Sequence, residues 1–281
     1  MNNVTRPLVR YHGAKWKIAP WIISFIPKHR IYVEPYGGGA SVLLLKSRSH
    51  EEIYNDLDSD IVNLFRVTRD NGEELKRRIE STPFSREEYL QAYKPTDDPI
   101  ERARRTVIRA FMGRANTGAT GKITDSGSTV TGFRSSSCGC GKTAAKVWAS
   151  YPDAFNALIE RLKGVVIENR DALEVIELHD SDTTLFYVDP PYIFSTRDTG
   201  TDYRYEMTDQ DHIELAKKLN TVKGMVIVSG YHSELYNDLY KGWTVKEKIT
   251  YSDGDKERPR IEVLWIKGFS IENGLFEGDM Q

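Results

Sequence analysis

The stretch that most constrains the fold runs from Ile31 to Glu34, four largely apolar residues that stop at Pro35 and pass into Gly37-Gly38-Gly39. A short apolar run closed by turn residues reads as a buried strand, and residues 40–47 after it read as a helix. Strand, glycine turn and helix together open a parallel sheet, because a parallel pair needs a crossover and glycines allow a tight first turn. The unit then repeats. Residues 52–55 form a second short strand ending at Asp56, and residues 60–79 carry Ile61, Leu64, Phe65, Leu75 and Ile79 at helical spacing. This is the start of a doubly wound α/β sheet.

The alternation breaks between residues 83 and 150. Residues 85–93 and 100–114 read as helices, and residues 116–142 are rich in Gly, Ser and Thr. A loop of that length inside a compact chain is usually functional or disordered. The expectation is therefore a catalytic body made of residues 1–82 and 151–281, interrupted by an inserted domain at 83–150. Beyond it the sheet pattern resumes with a helix at 151–163, strands at 165–168 and 185–188, a helix at 209–219 capped by Thr208, and a strand at 225–229. A short helix at 233–240 follows. Residues 244–251 and 260–267 alternate as a closing antiparallel pair.

Two places on this frame carry chemistry. The glycine turn lets the backbone approach a ligand, and the helix after it offers unpaired N–H groups. An acidic residue closing the next strand, here Asp56, commonly bonds ribose hydroxyls, so the pair points to an adenosine-containing ligand. A nicotinamide dinucleotide fits less well, because Gly37 and Gly39 are followed by Val42 where the third glycine of that fingerprint belongs. The second place is Asp189-Pro190-Pro191-Tyr192, at the carboxyl end of a buried strand where such sheets bind ligands. Consecutive prolines fix the backbone and remove two donors. The Pro190 carbonyl and the Asp189 carboxylate are then two acceptors side by side, which suits the two N–H bonds of an exocyclic amine on a purine. Tyr192 would stack on that base. A base inside a duplex is out of reach, so the nucleotide would have to be flipped out. Ser229-Gly230-Tyr231 ends a later strand without the spacing of a nucleophile elbow and is expected to line the pocket.

The formal net charge of -2 does not by itself suggest a polyanion as partner. The distribution does. Between Glu101 and Val147 stand nine basic residues and only two acidic ones. A basic module on an acidic body is compatible with DNA. Arg102, Arg104, Arg105 and Arg109 crowd one helix without sharing a face, so some can reach phosphates while others pair internally. Arg109, Arg114, Asn116, Lys122 and Arg134 are the candidate DNA-binding residues, Arg and Asn being the usual readers of guanine and adenine.

At this point the chain resembles the D12 class of DNA adenine methyltransferases, the family of the Dam enzymes, from Arg10 to about Lys267. Four segments carry the resemblance in matching order: Tyr11-His12-Gly13-Ala14-Lys15, Glu34-Pro35-Tyr36-Gly37-Gly38-Gly39, Asn55-Asp56 and Asp189-Pro190-Pro191-Tyr192. The resemblance implies a Rossmann-like S-adenosylmethionine-dependent methyltransferase sheet with a mainly helical inserted DNA-recognition domain. It also implies methyl transfer to N6 of adenine in double-stranded DNA, by base flipping and in-line displacement. Tyr11 and Lys15 would touch S-adenosylmethionine, with Lys15 near its carboxylate. The turn from Gly37 to Gly39 would pass its methionine part, Asp56 would bond its ribose, Asp171 would lie near its adenine, and Tyr36 would also touch the cofactor. Asp189 would serve both cofactor pocket and target amine, and Pro190, Pro191 and Tyr192 would hold the target adenine. The family usually has Trp or a similar residue where Tyr11 stands, then Ala-Gly-Gly-Lys, and Phe where Tyr36 stands; ring and lysine are kept.

Several signals lead elsewhere and fail. Gly141-Lys142-Thr143 imitates a phosphate loop, but Ser136 stands where its first glycine belongs. Cys138 and Cys140 have no His or third Cys at ligand spacing, so no metal is expected. No apolar run reaches membrane-spanning length and no secretory h-region opens the chain, so a cytoplasmic protein without a membrane partner is expected. Three other functions stay open: methylation of cytosine N4, for which the family trend puts Ser in place of Asp189; a nicotinamide oxidoreductase; and a non-catalytic DNA binder, which predicts loss of Asp189 or Lys15.

Overall fold

The computed structural model describes residues 4–114, 132–135, 143–196, 203–252 and 255–269. Helix α1 (Ala19–Ile23) carries Pro20 in its first turn, where a missing N–H costs nothing. Strand β1 (Ile31–Glu34) runs through the glycine turn into α2 (Ser41–Leu45), and β2 (Glu51–Asn55) leads to α3 (Ser59–Glu80). Asp58 caps α3 by accepting from Asp60 N at 2.9 Å. Helices α4 (Arg86–Gln91), α5 (Pro99–Met112) and α6 (Ala144–Ala149) follow, capped by Ser85, Asp98 and Thr143. Then come α7 (Phe155–Leu162), β3 (Val165–Glu168), α8 (Ala172–Leu178) and β4 (Thr184–Val188). Helix α9 (Asp209–Thr221) opens on a reciprocal Thr208–Asp211 capping box. Strand β5 (Met225–Tyr231), α10 (Glu234–Leu239) and the hairpin of β6 (Thr244–Ser252) and β7 (Asp255–Lys267) complete the chain.

The seven strands lie in the order β3-β2-β1-β4-β5-β7-β6. The first five are parallel, and β7 pairs antiparallel with both β5 and β6. From β1 the chain builds outward first to β2 and β3, then returns to lay β4 on the other side. The crevice above the β1–β4 boundary is thus a topological switch point, the place where such sheets bind ligands.

Strands β1, β2, β4, β5 and β7 alternate between two apolar clusters. In β4, Leu185 and Tyr187 face a layer built with α3, α5 and α7, while Phe186 and Val188 face α8, α9 and α10. Phe186 is fully buried, so truncation to Ala is expected to cost about 3–5 kcal/mol. Within 83–150, Tyr89, Val107, Ile108, Phe111 and Trp148 share one cluster with Ile61, Leu64 and Phe65 of α3. Helix α5 is therefore a layer of the sheet body. An antiparallel bridge joins Gly113, just past α5, to Phe133. Arg114 N donates to Gly132 O at 3.1 Å and Arg134 N to Met112 O at 2.7 Å, so the described residues on either side of 115–131 are bonded to each other. Asn116, Lys122, Cys138 and Cys140 lie outside the described residues. Among the described residues, no helix is long and apolar enough to cross a membrane, and no group of three or more His, Cys, Asp or Glu side chains could hold a metal.

Candidate active site

The carboxyl ends of β1, β2 and β4 bring three of the sequence motifs to one crevice. After β2, Asn55 ties the loops together: its Nδ2 donates to Pro35 O at 2.8 Å and to Arg170 O at 3.1 Å, and its Oδ1 accepts from Arg170 N at 2.9 Å. Its backbone carbonyl takes Gly37 N at 2.7 Å. The glycine turn is packed too closely for side chains. A Cβ on Gly37 would stand 2.2 Å from the Tyr54 ring, and one on Gly38, whose φ is +47°, 2.9 Å from the Tyr11 ring. Ala40 also holds a left-handed φ of 50° just before α2. A non-glycine residue there is strained, and such strain gathers at ligand sites.

Asp56 faces this turn. Its Oδ2 accepts from Gly38 N at 2.8 Å and its Oδ1 from Asp58 N at 2.7 Å. A carboxylate oxygen accepts more than one donor, so both remain competent to take hydroxyls. Burial pushes the Asp56 carboxyl up to about 6 against the pull of the Asp58 and Gly38 amides. Asp56, Asp171, Tyr36, Asp189 and Pro191 line a cleft of about 280 Å³, near the lower end of small-molecule sites. Asp171 also caps α8 through Leu173 N at 2.8 Å. A second recess, lined by Tyr11, Lys15 and Gly37 to Gly39, meets the first at Asp189, Tyr11 and Gly38.

At that junction lies the Asp-Pro-Pro-Tyr segment. Asp189 Oδ1 is 3.0 Å from Lys15 Nζ, which also donates to Gly13 O at 2.7 Å. Burial raises the Asp189 carboxyl to about 6 in spite of this ammonium. Burial works against the Lys15 charge, yet Asp189 and then Glu262 hold its pKa above the usual lysine value. Lys15 Nζ also stands 4.6 Å from the centre of the Tyr192 ring, so one ammonium covers both the carboxylate and the ring face. Pro190 is buried beside them. The Tyr192 hydroxyl donates to Glu262 Oε2 at 2.9 Å and lies 3.2 Å from Ser229 Oγ. Tyr231 meets the Tyr192 ring edge-on at 4.7 Å between centroids. Ser229 and Tyr231 therefore pack against Tyr192, behind the two recesses rather than in their lining.

The candidate DNA-binding residues divide. Arg109 does not stand on a basic surface: it is 9 % exposed, donates to Asp60 Oδ2 at 3.1 Å and reaches Ala92 O at 3.3 Å. The expectation that it faces a duplex is corrected here, since its charge is neutralised inside the helix packing. Arg102 pairs with Asp60 at 2.6 Å, Arg104 with Glu101 and Glu88, both at 2.8 Å, and Arg105 with Glu101 at 2.7 Å. Arg114 is exposed, and Arg134, half-buried, donates to Arg114 O at 3.1 Å.

Two site residues escaped the sequence reading. Arg204, in the segment 203–207 that walls the cleft, bridges Asp58 at 2.8 Å and Asp60 at 3.2 Å. Nothing in its neighbourhood in the chain marks it. Glu262 does leave a signal, because it shares the inward face of β7 with Leu264 and Ile266, where an acid is out of pattern.

The sequence matches the family described as D12 class N6 adenine-specific DNA methyltransferase over residues 11–253. It is 24 % identical to the type II methyltransferase M1.LlaDCHI of Lactococcus lactis subsp. cremoris over 93 % of this chain and 94 % of that protein. It is 22 % identical to the DNA adenine methylase of Haemophilus influenzae over 92 % and 91 %. Among solved structures, an S-adenosylmethionine-dependent methyltransferase from Agrobacterium tumefaciens aligns at a TM-score of 0.35 and 9 % identity, covering 89 % of this chain and 59 % of that one.

Proposed function

Because the chain belongs to the D12 class of N6 adenine-specific DNA methyltransferases, we propose that its switch-point crevice is where a flipped adenine meets the methyl donor. The enzyme methylates N6 of adenine in DNA at specific sites, with S-adenosylmethionine as donor. The crevice fits that donor in kind: a glycine cradle too tight for any Cβ, Asp56 as acceptor for ribose hydroxyls, and Asp171 and Tyr36 on the adenine side. The recess of Tyr11, Lys15 and Gly37 to Gly39 suits the methionine end, with Lys15 as the cation for a carboxylate. When bound, the donor supplies a methyl group on a sulfonium, open to in-line displacement by a nitrogen lone pair.

The chain's own residues hold and orient the acceptor. Asp189 accepts one N6–H and the Pro190 carbonyl the other, turning the nitrogen lone pair toward the cofactor recess. Tyr192 stacks on the base, and Pro191 keeps the segment rigid. Orientation and charge matching of this kind account for much of an enzyme's rate. The amine proton can leave after transfer, so no strong base is needed. Duplex DNA is the proposed substrate, with Arg114, Asn116, Lys122 and Arg134 as its proposed contacts.

The observation that carries the site assignment is Asp189, at the end of β4 with a lysine ammonium as its counter-ion where the two recesses meet. Treatment of DNA with the protein and radiolabelled S-adenosylmethionine, followed by nucleoside chromatography, tests it. Label in N6-methyladenosine that disappears in Asp189→Ala supports the assignment. Retained turnover in that variant refutes it, and label in N4-methylcytosine would replace the base.

A further inference from the structure

We propose that Glu262 is a positioning residue for methyl transfer, acting through the hydroxyl of Tyr192. The proposal rests on the reading of Tyr192 as the platform for the target base. A tyrosine held only at its backbone can rock about two side-chain torsions, which blurs the plane on which a base must lie. Here both ends of the ring are fixed. Its root follows two prolines at the end of β4, and its hydroxyl donates to Glu262 Oε2 at 2.9 Å with Ser229 Oγ at 3.2 Å. Tyr231 closes one edge of the ring.

Glu262 is placed for this by strand register. It sits opposite Tyr231 in the β5–β7 pairing and is 8 % exposed. Its neighbours on the same face of β7, Leu264 and Ile266, belong to the apolar core. A carboxylate in such surroundings is costly unless charge and hydrogen bonds answer it. Both are present: the phenol proton, and the Lys15 ammonium, whose charged state Glu262 supports along with Asp189. A phenol bound to an ionised acceptor is held more tightly than one bound to a neutral oxygen. Packing alone would be met by a leucine at this position. The acid is explained by the hydroxyl it fixes, while Asp189 and Gly13 hold the Lys15 ammonium that answers its charge.

Three variants and one pairing test the proposal: Tyr192→Phe, Glu262→Gln, Tyr192→Ala, and the double variant Tyr192→Phe with Glu262→Gln. Tyr192→Phe removes the hydroxyl while leaving the ring and the buried acid, so it reports even if the Glu262 variant folds poorly. It is expected to lower kcat by about 10- to 100-fold, the range for loss of one charge-assisted hydrogen bond. KM for DNA and for S-adenosylmethionine should stay within about threefold. Glu262→Gln should show the same split. The double variant should be no slower than the worse single, because both substitutions cut one interaction. A 2-aminopurine in place of the target adenine should give altered emission in the bound complex of either single variant. Wild-type kcat in Tyr192→Phe, with kcat lost in Tyr192→Ala, overturns the role of Glu262 alone. Wild-type kcat in Tyr192→Ala overturns the platform reading and this proposal with it. Multiplied losses in the double variant also overturn it, since Glu262 would then act by another route.

Discussion

The cleft and helix α5 were both marked in the sequence by residue type, and the structure treats them in opposite ways. Around the cleft, Tyr11, Lys15, Tyr36, Gly37, Gly39, Asp56, Asp171 and Asp189 come from distant parts of the chain and meet on two adjoining recesses. Along α5, Arg102, Arg104, Arg105 and Arg109 are neighbours in sequence, yet each is taken up by Asp60, Glu88 or Glu101. The difference is mechanical. Residues at strand ends are aimed by a backbone that cannot turn elsewhere, whereas a long arginine takes whatever carboxylate lies within reach. Local charge in a sequence is an upper limit on surface charge, and acids donated by other segments reduce it.

Substitutions in the two regions should therefore fail differently. The largest effect is expected at the junction of the recesses: Asp189→Ala should lower kcat by about 10²–10³-fold or more with the far-UV spectrum unchanged. Full activity there would remove the cleft from the comparison. Next comes pH. The Asp189 and Asp56 carboxyls, both raised to about 6 by burial, must be ionised to accept from amine and ribose. The kcat/KM of the free enzyme should then fall as pH drops below about 6 and level off above it. A profile flat from about pH 5 to 8 would contradict that. Arg109→Ala should behave as a core substitution, costing about 2–4 kcal/mol in denaturant unfolding, with the salt dependence of DNA binding unchanged in the folded fraction. A shallower salt slope at full stability would return Arg109 to the DNA-facing set. The smallest effect belongs to Arg114→Ala, which should leave stability within about 0.5 kcal/mol and reduce the salt slope by about one.

Much of the sheet was legible because hydrophobic runs and turn residues agree. The strands at 31–34, 165–168, 185–188 and 225–229 were found close to their limits. Helices α1, α6 and α8 were missed, each of five to seven residues and too short to show a period. The boundary at 83 followed a true break in the strand–helix rhythm, but rhythm says nothing of packing. Val107, Ile108 and Phe111 join the core of α3, which only tertiary contact reveals. In the site, motifs fixed to strand ends were readable. Arg204 was not, since its partners Asp58 and Asp60 lie more than 140 residues away. Glu262 was readable in principle, as an acid in phase with Leu264 and Ile266.

The bridge between Gly113 and Phe133 bears on where the chain can be cut and rejoined. The described residues on either side of 115–131 are hydrogen-bonded to each other, so a graft replacing 115–131 would enter and leave the described fold at two adjacent points. A swap with its seams at 83 and 150 would instead sever Tyr89, Phe111 and Trp148 from the layer they share with α3. A graft joined at the Gly113–Phe133 bridge keeps that layer whole, and with it the strand ends on which the recesses stand.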